Sequence, residues 1–334
     1  MKRLLKVLSV SLALVVVAAC GSESATTGGN EEGNKSVKMF LDWTPNTNHT
    51  GIYVAREKGF YEEAGVDVEI LLPGEVSANQ LVGSNQGEFG ISSQGAVTEA
   101  RANGLPIVSV AAVIANSTSG YTSPVDRGIR TPKDFVGKKF GTGGGSIAEP
   151  MIKMVMKRAG ADSDQLEFVR LGTTDLLTAM EHHVDFIHIY YAWQGIAAEL
   201  RGLEMNFVNP VDYAEELNSY SPVIITNETV IANEPEKAQA FIEATAKGYE
   251  FAIEHPEEAA EILIAAEPDL DPELVKASQA WLSPRYQDDS EQWGIQEEIR
   301  WKSYADFLFN EGIIDQEIDA AKAFTNQFIE NVKR

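Results

Sequence analysis

The stretch Val37-Lys38-Met39-Phe40-Leu41-Asp42-Trp43-Thr44-Pro45-Asn46-Thr47-Asn48-His49-Thr50-Gly51-Ile52-Tyr53-Val54-Ala55 reads as a strand over 37–43, a polar loop, and a helix over 51–58. The alternation continues downstream. Apolar runs at 66–72, 89–92 and 107–114 read as strands, with helices at 78–84 and 95–102 between them. Strand and helix in turn predict a mainly parallel α/β sheet covered on both faces.

A second unit of the same kind begins near residue 127. Strands are expected at 138–142, 166–171, 185–190 and 205–208, and helices at 147–159, 175–182 and 195–200. The run 222–226 reads as a strand returning to the first unit. Beyond it, 237–254, 257–266, 272–281, 296–311 and 316–332 show helical spacing with Pro or Gly between them. The expected layout is two α/β lobes around a ligand cleft. The first is discontinuous, 37–126 and 226–334, and carries most of the terminal helices. The second, 127–225, is inserted through crossings near 121–127 and 226–229.

Upstream of the body, Met1, Lys2, Arg3 and Lys6 precede an apolar run from residue 7 to 19 broken only by Ser9 and Ser11. This is the pattern of a secretory signal over 1–19, too short to span a bilayer, which takes roughly 20 apolar residues. It ends in Val17-Ala18-Ala19-Cys20-Gly21, which resembles the lipobox of bacterial lipoproteins and marks Cys20 for lipidation. Residues 20–36 are rich in Gly, Ser, Thr, Asn and Glu and read as a flexible tether. The expectation is a monomer held at the outer face of the cell membrane by its lipid.

The formal net charge is −23, and it becomes −26 once Lys2, Arg3 and Lys6 leave with the signal. Nucleic acid is thereby excluded as a partner, since phosphate binding needs clustered Lys and Arg. Cys20 is the only cysteine, so no thiol remains for a disulfide, a zinc–thiolate site or a cysteine nucleophile. His182, His183 and His188 lack the spacing of a metal pair, and no G-x-S-x-G is present. No cofactor is called for.

In α/β sheets ligands sit beyond the carboxyl ends of the strands, and three loops occupy that position. The first, 42–50, brings together Trp43, Asn46, Asn48 and His49, a flat ring with amides and an imidazole, which suits a planar polar heterocycle. The second, 141–149, contains Gly143, Ser146 and Glu149 ahead of a helix, with no Lys-Ser/Thr of a Walker loop. The third, 189–195, carries Tyr190, Tyr191, Trp193 and Gln194. Tyr hydroxyls need polar partners when buried, so some of these rings should face a cleft. The spacing leaves open which of them does. Gln94, at the start of the helix after 89–92, joins the set.

The run 40–55, with Lys58-Gly59-Phe60-Tyr61 and Gly65-Val66, resembles the thiamin-precursor branch of the NMT1/THI5-like substrate-binding proteins. The resemblance covers 37 to about 328. It implies a type II periplasmic-binding-protein fold, an ABC permease with its ATPase as partners, and a small aminopyrimidine as ligand. With such a ligand, the three loops are expected to stack its ring between Trp43 and Tyr190 or Tyr191, with Asn46, Asn48, Gln194 and Glu149 on the ring edge. The superfamily also contains a pyrimidine synthase that uses a Schiff-base lysine, a consumed histidine and a cysteine-rich motif. Aligned without gaps, Ser92 and Ala96 stand at the first two positions, and no cysteine lies in 219–225. A Schiff base needs an amine, so the resemblance favours a receptor over an enzyme. Anion receptors of the fold would want Arg or Lys in the three loops, which have none. A flavin receptor stays open.

Overall fold

The computed structural model describes residues 34–72, 74–142, 147–171 and 176–332. Cys20, the signal segment, most of the tether, Gly143 and Ser146 lie outside the described residues.

Among the described residues ten strands form two five-stranded sheets. They are β1 Lys35–Phe40, β2 Val66–Leu71, β3 Phe89–Ser92, β4 Ile107–Ala112, β5 Ser119–Pro124, β6 Lys139–Thr142, β7 Glu167–Arg170, β8 Phe186–Tyr190, β9 Met205–Val208 and β10 Val223–Asn227. The first sheet has the order β2-β1-β3-β10-β4 and the second β7-β6-β8-β5-β9. Each is mixed rather than purely parallel, because one strand from each crossing runs against its neighbours. β10 lies antiparallel between β3 and β4, and β5 antiparallel between β8 and β9. The polar run Ser119–Pro124, expected to begin a crossing, is therefore a strand of the second sheet.

The helices are α1 Thr50–Glu57, α2 Phe60–Glu63, α3 Ala78–Gly83, α4 Gln94–Ala102, α5 Ala148–Arg158, α6 Leu176–His182, α7 Ile196–Leu200, α8 Glu228–Asn233, α9 Pro235–Glu254, α10 Pro256–Ala266, α11 Pro272–Gln287 and α12 Glu298–Asn310. None is long and apolar enough to cross a membrane among the described residues. Helix α1 packs on α9 at their glycines. A Cβ on Gly248 would lie 2.0 Å from the Gly51 carbonyl oxygen, and one on Gly51 would lie 2.3 Å from the Tyr249 ring. Only glycine at both positions lets the backbones approach this closely.

One expectation about the C-terminal region fails. The stretch 316–332 holds only a short 3-10 turn, Ala320–Lys322, capped by Asp319. Its chain is held extended against β4 instead: Ser109 N–H donates to the Ala323 carbonyl at 2.9 Å and Thr325 N–H to the Ser109 carbonyl at 2.8 Å. Covering the open edge of the first sheet outweighs the helical pattern there. The last helix, α12, is shared between the lobes. On α12, Trp301 packs with Phe40, Val82 and Tyr220, whereas Tyr304, Phe307 and Leu308 pack with Tyr121, Phe135 and Phe140 of the second lobe.

The two crossings, after β4 and before β10, lie side by side. Asn218 Nδ2 donates to Asn116 Oδ1 at 2.9 Å, and Ser117 N–H donates to Asn218 Oδ1 at 2.9 Å. Val113 N–H donates to the Pro222 carbonyl at 2.9 Å. Arg300 of α12 donates to the Ala115 carbonyl and lies 4.4 Å from the Tyr220 ring centroid, touching both crossings.

Candidate functional site

The carboxyl ends of β1, β3 and β8 face each other across a cleft with two chambers. One, of about 500 Å³, is lined by Asp42, Trp43, Asn46, Asn48, Ser92, Tyr190, Trp193 and Gln194 among others. The second, of about 490 Å³, is lined by Glu99, Tyr121, Phe140, Thr142, Ile147, His188, Ser219 and Tyr304 among others. Ser93, Ala96, Tyr190 and Ser221 line both, so the chambers adjoin with Tyr190 as their common wall.

The 42–50 loop is fixed by its own polar side chains. Asn46 Oδ1 accepts from Asn48 N–H at 2.9 Å, and its amide donates to the Thr44 carbonyl at 2.9 Å. His49 Nδ1 accepts from Asn46 N–H at 3.3 Å, which leaves the ring proton on Nε2, donated to Asp42 Oδ1 at 2.9 Å. His49 is fully buried and does not line the chamber; it orients Asp42. Asn46, though a lining residue, has both amide functions engaged by its own turn. Only His49 is corrected from a ligand contact to a support of the loop; Asn46 supports the loop and also lines the chamber, with a second amide N–H beyond the one its turn uses.

Helix α11 anchors this loop and the aromatic loop together. Thr47 Oγ1 lies 2.6 Å from Ser278 Oγ, and Ser278 in turn donates to the Ala192 carbonyl. Thr50 Oγ1 donates to Gln279 Oε1 at 2.6 Å, and Tyr249 OH to the Asn48 carbonyl at 2.7 Å. With the backbone so held, Trp43 stands 51% exposed and Asp42 is held through one carboxylate oxygen.

Of the three aromatics after β8, Tyr190 and Trp193 line the Trp43 chamber and Tyr191 does not. Tyr191 faces the other way: its hydroxyl donates to Glu199, and its ring lies 5.2 Å from Trp281 and 5.3 Å from Phe207. The Tyr190 hydroxyl is raised by burial and by the Asp42 carboxylate, and Ser221 opposes this with a hydrogen bond. It stays a neutral donor. Gln194 Oε1 accepts from Tyr190 N–H at 3.1 Å, leaving its amide group for the chamber.

Gln94 is corrected as well. It is fully buried, donates to the Arg300 carbonyl at 3.1 Å and accepts from Tyr220 N–H at 2.9 Å, tying α4 to the crossing and to α12. Glu149 sits in the first turn of α5, beside Ile147 and Ala148, and lines neither chamber. Sequence reasoning passed over Asp42 and Ser92, which line the first chamber. Asp42 had a signal, since it lies just beyond β1 beside Trp43; the Ser92 hydroxyl had none.

Among the described residues no Lys or Arg lines either chamber, and Asp42 and Glu99 supply the formal charges. Burial pushes the His188 imidazole down from 6.5 to about 4. Its ring meets those of Tyr121 and Tyr190 edge-on at 5.6 and 5.7 Å. Because the folded value lies below the unfolded one, the unfolded chain binds the extra proton between about pH 6.5 and 4. Stability contributed by His188 is complete above that window and is lost as pH falls through it. Calorimetric melting at pH 7 and pH 4.5 should therefore show a smaller drop for His188→Gln than for the unaltered chain. Equal drops would mean the imidazole is protonated as easily folded as unfolded.

The model of the NMT1/THI5 like family matches residues 46–259. A formylaminopyrimidine-binding protein of Halalkalibacterium halodurans is 29% identical over 96% of this chain and 98% of its own length. A 4-amino-5-hydroxymethyl-2-methylpyrimidine phosphate synthase of Legionella pneumophila is 26% identical over 88% of this chain and 92% of its own. Among solved structures, the alkanesulfonate-binding protein SsuA of Xanthomonas axonopodis pv. citri superposes with a TM-score of 0.66 at 13% identity, covering 87% of this chain and 98% of that one. The aliphatic sulphonate binding protein SsuA of Escherichia coli gives 0.66 at 13% identity, covering 86% and 91%. These likenesses fix the architecture as the two-lobed α/β fold of periplasmic binding proteins. The chain belongs to the NMT1/THI5-like family.

Proposed function

We propose that the chain is the substrate-binding component of an ABC importer and captures a thiamin-related 4-aminopyrimidine, N-formyl-4-amino-5-aminomethyl-2-methylpyrimidine or a close relative, for thiamin salvage. The observation that carries this reading is the convergence of Asp42, Trp43, Asn48, Tyr190, Trp193 and Gln194 on one chamber without a cation. Rings supply faces for stacking, and a carboxylate with two amides supplies the acceptors and donors of an aminopyrimidine edge. The adjoining chamber offers room for the arm on the ring, among Ser219, Ser221 and Tyr304. Similarity to the Halalkalibacterium protein supports the same ligand class.

The chain is read as a receptor rather than a synthase. Ser92 stands where the enzyme's lysine aligns, and no lysine lines either chamber among the described residues. A hydroxyl cannot form the Schiff base. The lobes, 37–126 with 226–334 and 127–225 adjusted to the strands above, close about the paired crossings on capture. The receptor works as a monomer, tethered through lipidated Cys20 at the outer face of the membrane, and passes its ligand unchanged to the permease and its ATPase.

Titration calorimetry with the aminopyrimidine, riboflavin and an alkanesulfonate tests the assignment. The pyrimidine should bind at micromolar concentration or below. The sulfonate should give no heat, because a buried anion needs a cationic partner, neither chamber has one among the described residues, and Asp42 and Glu99 repel it. Riboflavin binding without pyrimidine binding would transfer the site to a flavin, and sulfonate binding would overturn the electrostatic reasoning.

A further inference from the structure

Ser92 is the last residue of β3, in the middle of the first sheet, and lines the Trp43 chamber. It is only 7% exposed, and its hydroxyl has no hydrogen-bond partner in the protein. The next residue differs in this respect: Ser93 Oγ accepts from Ala96 N–H at 3.2 Å and caps α4. Ser93 thus has a structural role, and Ser92 has none. An unpaired buried hydroxyl destabilises the empty protein, and alanine would occupy the same space without that penalty.

The neighbour across the sheet indicates what the hydroxyl is for. β1 and β3 pair in parallel with Met39 opposite Phe89 and Phe40 opposite Gly90. That pairing ends at Phe40 with β1, and two residues further on the chain brings Asp42 to the same chamber that Ser92 lines. Asp42 offers acceptors, and its His49 partner keeps it oriented. A hydroxyl in the same chamber offers a donor. Acceptor next to donor is the complement of an exocyclic amine next to a ring nitrogen.

We propose that Ser92 is a specificity-determining residue of this chamber: its hydroxyl donates a hydrogen bond to the ring nitrogen adjacent to the ligand's 4-amino group, which Asp42 accepts. The assignment rests on the aminopyrimidine reading above. It adds a contact that discriminates against rings with carbon at that position.

The test compares the full-length chain with Ser92→Ala, using N-formyl-4-amino-5-aminomethyl-2-methylpyrimidine and its analogue with CH in place of ring N3. Calorimetry should show the substitution weakening binding of the pyrimidine about tenfold, while the melting midpoint of the ligand-free protein stays level or rises. The analogue should bind the unaltered chain about tenfold more weakly and lose nothing further in Ser92→Ala, as a shared hydrogen bond requires. Equal affinities of the two chains for the pyrimidine would overturn the Ser92 assignment alone. So would a lowered midpoint together with additive losses, which is the signature of a structural serine. Failure of the unaltered chain to bind the pyrimidine would remove the aminopyrimidine reading and this contact with it.

Discussion

Trp43→Ala should reduce affinity for the aminopyrimidine near a hundredfold while leaving the melting midpoint within about 1 °C of the unaltered protein. Stacking on an aromatic ring is worth about 1–3 kcal/mol per base-like ring, and a half-solvated side chain removed from no core costs roughly 0.5 kcal/mol or less of stability. Trp43 is 51% exposed and its loop is held by Asn46, His49 and the α11 hydroxyls rather than by the indole. Calorimetry and a melting curve on the same preparation separate the two quantities. Affinity unchanged would place the ligand outside this chamber, and a large fall in midpoint would make Trp43 a packing residue.

Gly248→Ala acts at the opposite extreme, on the fold. The added methyl would fall 2.0 Å from the Gly51 carbonyl oxygen and 3.0 Å from Ala55, so α1 and α9 must separate. Overpacking of a tight core costs about 1–3 kcal/mol, and backbone displacement takes this case to the top of the range. The midpoint should drop by roughly 5 °C for a protein of this size. Because α1 continues directly from the 42–50 loop, binding should weaken as well, even though Gly248 touches no chamber. A loss of stability under about 1 kcal/mol by chemical denaturation would show that the two helices part at little expense.

Periodicity made most of the frame legible. Strands at 37–43, 66–72, 89–92 and 205–208 and the long helices after 236 follow from side chains that must alternate or repeat to bury one face. Ser119–Pro124 escaped because its residues are mostly small or polar, and its place in the second sheet comes from partners 65 and more residues away rather than from its own pattern. The 316–332 stretch failed for the converse reason. Its helical spacing is real, but the open edge of β4 offers hydrogen bonds that local propensity cannot outbid.

Within the site, residue type located the loops but not the direction of each side chain. Tyr190 and Tyr191 are adjacent and chemically alike, yet one walls the cleft and the other lies tilted against Trp281. Asn46 and Gln94 have the composition of ligand contacts, and backbone groups claim both. Amides near a cleft are as useful for satisfying turns and crossings as for greeting a ligand. Ser92 shows the reverse: its position becomes informative only through the partner it lacks.

Helix α12 places Trp301 in one lobe's core and Phe307 and Leu308 in the other's. Two extended crossings alone would leave the halves free to shear and twist as well as swing. A third, rigid mounting that is greasy at both ends removes those freedoms, since sliding would drag apolar side chains through water while pivoting about the helix need not. On the proposed receptor function, a clamp mounted this way has less disorder to surrender on gripping its cargo than a loosely strung one, which favours tight holding of a small ring with few contacts.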